Sequence, residues 1–104
     1  MSVKGFQFSV VEAAIKKPGR KDLALIFSEM PAVAAAVFTT NKVKAAPVLL
    51  SAERIASGRA QALVVNSGNA NACTGSQGML DAVETSRLLA EGLGIDKELV
   101  QVCS

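Results

Sequence analysis

The chain has 104 residues, half of them hydrophobic and 19% charged, and its 11 basic and 9 acidic side chains leave a net charge of +2. That length suits one domain or a piece of one, and the apolar content excludes a disordered tail. Histidine, tyrosine and tryptophan are absent, so the chain cannot itself assemble a Ser-His-Asp or Cys-His nucleophile, and it offers few aromatic platforms for stacking nucleic acid.

Phe6, Phe8 and Val10 alternate in the opening segment (residues 5–15), which predicts a half-buried strand. The basic stretch Lys16–Lys21 surrounds Pro18-Gly19 and reads as a solvated turn. Leu23–Phe27 is a continuous apolar run of strand length. Met30-Pro31 is expected to break it, and Ala32–Phe38 to return as a buried hairpin partner, with β-branched Val33 and Val37 outweighing the helix preference of alanine. A polar break at Thr39–Lys42 precedes a helix expected over Ala45–Ser57, with Pro47 in its first turn and Gly58 as its stop. Ala60–Val65 is the clearest strand.

From Gln77 to Leu93 the pattern turns helical. Met79, Val83, Ser86, Ala90 and Leu93 share one face, while Asp81, Glu84 and Glu91 lie opposite. Leu88, apolar on the charged side, hints at an additional contact. Thr74 and Gln77 have capping-box spacing at the helix start, and Gly92 and Gly94 supply its stop. Leu99–Ser104 reads as a last strand. Residues 60–104 thus form a βαβ-like unit behind a pair of strands, and nothing follows the last strand, as expected of a fragment.

Two stretches are candidate sites. Val64–Gly75, "VVNSGNANACTG", sets three asparagines between a buried strand and a helix N-terminus, where open α/β sheets place their ligands. Asparagine offers donor and acceptor without charge, and a helix N-terminus favours anions. Neither a GxGxxG nor a P-loop pattern is present, and a rigid loop braced by its own amides explains the composition equally well. Val37–Asn41 is the second polar edge, with Lys42 and Lys44 beside it. Cys73 and Cys103 are expected to be free, small core residues: two cysteines without histidine do not make a metal site. No segment suits a signal peptide or a membrane span, which reads as a cytoplasmic protein with no nucleic-acid or membrane partner.

Read together, "VFTTNKVKAAPV" (Val37 to Val48) and "VVNSGNANACTGSQG" (Val64 to Gly78) closely resemble the bifunctional ornithine acetyltransferase/glutamate N-acetyltransferase family of arginine biosynthesis. "GRKDLALI" (Gly19 to Ile26) resembles that family's early segment. The resemblance implies an α/β (α+β sandwich type) fold of sheets with flanking helices, similar to that of self-cleaving aminopeptidases. Residues 1–104 would be a single N-terminal fragment of the α segment. It implies acetyl transfer from N-acetylornithine to glutamate with no resident cofactor, some members also using acetyl-CoA as donor. Family members cut themselves at an Ala-Thr bond, and the freed threonine is the nucleophile. A Thr-Gly pair forms their oxyanion hole.

This chain contains no Ala-Thr pair. The oxyanion Thr-Gly is expected just beyond Ser104, after a strand like "VQVCS", and Thr74-Gly75 is a different pair. No catalytic or substrate-contacting residue therefore transfers. Asn66, Gly68, Asn69 and Asn71 are expected to brace a loop beside the site. The implied partners are the remainder of the α segment and the β chain, in a dimer of αβ units. A non-catalytic α/β module holding an anion on the asparagine-rich loop is the alternative.

Overall fold

The computed structural model describes residues 3–11, 23–66 and 75–103. Four strands form one sheet in the order β1 (Phe6–Val11), β2 (Leu23–Val33), β3 (Arg59–Asn66) and β4 (Val100–Cys103). Both β1–β2 and β2–β3 are antiparallel, whereas β3–β4 is parallel. A parallel neighbour requires a crossover, which the helix α2 (Gly75–Leu93) provides. The βαβ unit expected from the sequence is therefore present. A second helix, α1 (Ala46–Ile55), precedes β3.

Side-chain alternation and register sort the sheet into two faces. Leu25 pairs with Val64 and Phe27 with Ala62, and these in turn face Val102 and Val100. This face meets the helices. Its buried core is Ala62, Val64, Val100 and Val102 from the strands, Ala46 and Leu50 from α1, and Ala82 and Ala90 from α2. Small side chains dominate, which lets the helices approach the sheet closely. Ser86, in the middle of the buried face of α2, has no exposed surface and directs its hydroxyl to the Val83 carbonyl at 2.7 Å. A polar residue thus sits in the core at little cost, because its one donor is satisfied within its own helix.

Both helix ends follow the predicted chemistry. Pro47 occupies the first turn of α1, where a missing N–H forfeits no helical hydrogen bond. Gly58, at φ 76°, ends that helix turn, its N–H bonding to the Ile55 carbonyl at 2.8 Å. After α2, Gly94 takes φ 70°; its N–H reaches the Glu91 carbonyl at 3.3 Å, and the Ile95 N–H reaches Ala90 at 3.0 Å. This is a Schellman ending, with glycine at the left-handed position. The helix passes through Gly92 without stopping. Thr74, the expected cap, lies outside the described residues, as do the basic Lys16–Lys21 turn and Asp22.

One expectation about the strands fails. Met30-Pro31 does not end the second strand, and Ala32–Phe38 is not a buried hairpin partner. β2 runs on to Val33, its register against β3 shifting between Phe27 and Ala32. Pro31 falls inside that shift, where no ladder bond needs its N–H. Past the Ala34 N–H, which reaches the Gly58 carbonyl at 2.8 Å, the chain leaves the sheet. Val33 and Val37 are 87% and 98% exposed. Apolar composition alone suggested burial, but no strand among the described residues pairs with residues 34–38.

Candidate functional site

Two places in the described structure combine polar groups with a defined geometry: the outer edge of β4 and the open face of the sheet. β4 pairs with β3 on one side only, so its other side would leave buried N–H and C=O groups unmet. The helix α1 closes that side with side chains. The Ser51 hydroxyl donates to the Val102 carbonyl at 2.9 Å and accepts the Val102 N–H at 3.1 Å, so one side chain answers both backbone groups. Arg54 Nη1 donates to the Lys97 carbonyl at 2.7 Å and to the Val100 carbonyl at 3.4 Å. Both residues are 6% exposed. No carboxylate pairs with Arg54 among the described residues; carbonyls of the short 3-10 turn Lys97–Leu99 and of β4 take its place.

The opposite face carries Phe6, Phe8 and Val10 of β1 in register with Ser28, Ile26 and Ala24 of β2, continuing to Leu63 and Val65 of β3 and to Gln101 and Cys103 of β4. Phe6, Phe8 and Val10 are 40%, 51% and 52% exposed. They share one face, as their alternation predicts, but nothing in the described chain covers that face. A groove of about 530 Å³ is lined by Phe6, Ile26, Leu63 and Gln101 of this face together with Ala32–Ala36 and with Pro47, Val48 and Ile55 of α1, and it reaches Ala62 and Val102 of the helix-side face. Its polar exceptions include Gln61 and Gln101. The Gln101 Nε2 is buried and has no hydrogen-bond partner among the described residues.

Of the residues singled out from the sequence, Asn66 closes β3, half-buried, and its buried Oδ1 has no partner among the described residues. Gly68, Asn69, Asn71 and Cys73 lie outside the described residues. The second polar edge forms consecutive local turns: the Asn41 N–H bonds to Thr39 Oγ1 at 3.1 Å, and the Val43 N–H bonds to Asn41 Oδ1 at 3.0 Å. Asn41 thus works as a turn residue. Lys42 and Lys44 are exposed. Cys103, expected in the core, is instead exposed on the groove wall, because its register puts it on the open face beside Val65. Among the described residues there is no cluster of metal-ligating side chains, and no helix is long and apolar enough to cross a membrane.

Ser51 and Arg54 were not singled out from the sequence. The available signal was their spacing: in "APVLLSAERI" they fall at i and i+3 along the stripe that also holds Pro47 and Leu50. Polar groups on the buried stripe of an amphipathic helix call for partners. That the partner is the edge of a strand some fifty residues away is set by the fold.

A mixed sheet with its helices on one face, and an apolar second face that no described residue covers, defines an α/β layer. The chain belongs to the ArgJ family, whose model matches residues 7–104. It is 68% identical over its whole length to the arginine biosynthesis bifunctional protein ArgJ of Geobacter sulfurreducens and 59% identical to that of Syntrophotalea carbinolica, covering 26% of each relative. The chain therefore spans about a quarter of the length of the curated relatives it matches. Among solved structures, ArgJ of Bacillus halodurans superposes with a TM-score of 0.93 at 46% identity, over 97% of this chain and 53% of that one. The ornithine acetyltransferase of Mycobacterium tuberculosis, solved in complex with ornithine, gives 0.91 at 45% identity, over 97% of this chain and 55% of that one.

Proposed function

We propose that this chain is the N-terminal part of the α segment of an enzyme that transfers the acetyl group of N-acetylornithine to glutamate in arginine biosynthesis. The observation that carries the reading is the match of the whole chain to ArgJ proteins, at identities of up to 68%, over only a quarter of their length. The ornithine bound in the Mycobacterium tuberculosis relative supports the substrate class. In this reading a threonine freed by self-cleavage attacks the acetyl carbonyl, its own amine taking the hydroxyl proton. Ornithine leaves, and the glutamate amine then removes the acetyl group from the threonine. Acetyl-CoA serves as a second donor in some such enzymes and needs no resident cofactor.

None of those reacting groups belongs to the 104 residues. The absence of histidine is compatible with a threonine-amine base. Asn66 and the loop after it then have a bracing role beside the site. The partners in this reading are the remainder of the α segment and the β chain, in paired αβ units in the cytoplasm. The open apolar face and its groove support a chain-derived covering. The test is direct: the full-length protein is expected to move acetyl from N-acetylornithine to glutamate, and the 104-residue chain alone to show no turnover and no self-acetylation. Turnover by the isolated chain overturns the reading. So does a full-length protein without acetyl transfer.

A further inference from the structure

We infer that Ser51 and Arg54 are positioning residues: acting through β4, they fix where the chain goes after Cys103. This rests on the acetyl-transfer reading above, together with the expectation from the family resemblance that an oxyanion-forming Thr-Gly follows β4. The geometry comes from the structure itself. β4 is four residues long and, among the described strands, hydrogen-bonds to β3 alone, through one parallel ladder. On its free side, Ser51 binds both the N–H and the C=O of Val102, and Arg54 binds the carbonyls of Val100 and Lys97. The contacts run antiparallel, Ser51 lying nearer the end of β4 and Arg54 nearer its start.

Two consequences follow. The edge is closed to a fifth strand, because the outward backbone groups of Val102 and the outward carbonyl of Val100 are already engaged. The end of the strand is also held by the directional hydrogen bonds of the Ser51 hydroxyl at Val102, and its start by the Arg54 guanidinium, in addition to the apolar packing of Val100 and Val102. Oxyanion stabilisation depends on donors held close to where charge develops, and small misplacements reduce rate more than binding.

The test is steady-state kinetics of the full-length protein, with Ser51→Ala, Ser51→Thr, Arg54→Lys and Arg54→Met assayed well below each variant's melting temperature. Ser51→Ala is expected to lower kcat about tenfold or more, with KM for N-acetylornithine and glutamate within about twofold. Ser51→Thr, which keeps the hydroxyl, restores most of kcat. Arg54→Lys retains more kcat than Arg54→Met. A folded Ser51→Ala enzyme with kcat unchanged overturns the inference while leaving the acetyl-transfer reading intact. If Ser51→Ala does not fold, the lysine and methionine variants decide, equal kcat at position 54 overturning it. Absence of acetyl transfer in the unsubstituted protein overturns both, and thereby separates the two failures.

Discussion

The two faces of this sheet are built from the same kinds of residue and meet opposite fates. On the helix side, Ala62, Val64, Val100 and Val102 are at most 4% exposed, packed beneath Leu50, Ala82 and Ala90. On the other side, Phe6, Phe8 and Val10 keep about half their surface in contact with solvent. Burial in this molecule is thus decided by which elements are present to cover a face. On that second face the aromatic and β-branched side chains stand in register, and none of the described residues covers them.

The comparison can be broken first on the covered face. Leu50→Ala deletes the largest buried apolar side chain that α1 contributes, and is expected to reduce stability by about 2–5 kcal/mol, read from urea unfolding. Ser51→Ala comes next. It leaves the buried N–H and C=O of Val102 without a partner, expected to cost about 1–3 kcal/mol in the same measurement. Ser51→Thr should recover much of that loss; equal stability of the alanine variant would show that water replaces the hydroxyl.

The open face is the sharper probe. In the 104-residue chain, Phe8→Ser should change stability by no more than about 0.5 kcal/mol, as at other solvent-facing positions. In the full-length protein the same substitution should destabilise by about 3 kcal/mol or more, as a covered phenylalanine does. Equal effects in the two lengths would mean that the face stays open in the complete molecule.

The smallest effect is expected on the outer side of α2, at the Glu84–Arg87–Glu91 cluster. Arg87 reaches Glu84 at 2.6 Å and Glu91 at 2.9 Å, all three side chains being about half exposed or more. The hydrogen bond from Arg87, aided by its charge, holds the Glu84 carboxyl below the usual carboxylate value of 4.5, and the guanidinium is pushed further up in turn. A depressed carboxyl stabilises the fold above the ordinary carboxylate range and loses that contribution as pH falls through its lowered value. Solvent screening keeps the contribution small. Arg87→Ala should return Glu84 to the ordinary range in an NMR titration, with little change in melting temperature at neutral pH.

Much of the architecture was legible in the residues. The spacing of Met79, Val83, Ser86 and Ala90 marks a helix face, the run before Asn66 marks a strand, and glycines 58 and 94 sit where left-handed turns are needed. These features are local: helical periodicity, strand alternation and glycine's access to positive φ do not depend on distant partners. The extension of β2 through Pro31 was not legible, because a register shift absorbs the proline and only the neighbouring strand reveals it. Cys103 was misplaced for a related reason, since parity along a strand assigns a side chain to a face without saying whether that face is covered.

Sequence by itself therefore determined most of the elements, though not the extent of β2, and the family to which the asparagine-rich stretch points. Tertiary structure alone decided that β4 lies at the edge of the described sheet, that α1 closes it through Ser51 and Arg54, and that one apolar face is buried while the described residues leave the other uncovered. The physical reason is range. Helix and strand propensities act over a few residues, whereas Ser51 and Val102 are 51 positions apart and meet only because the parallel β3–β4 pairing and the packing of α1 bring them within 2.9 Å.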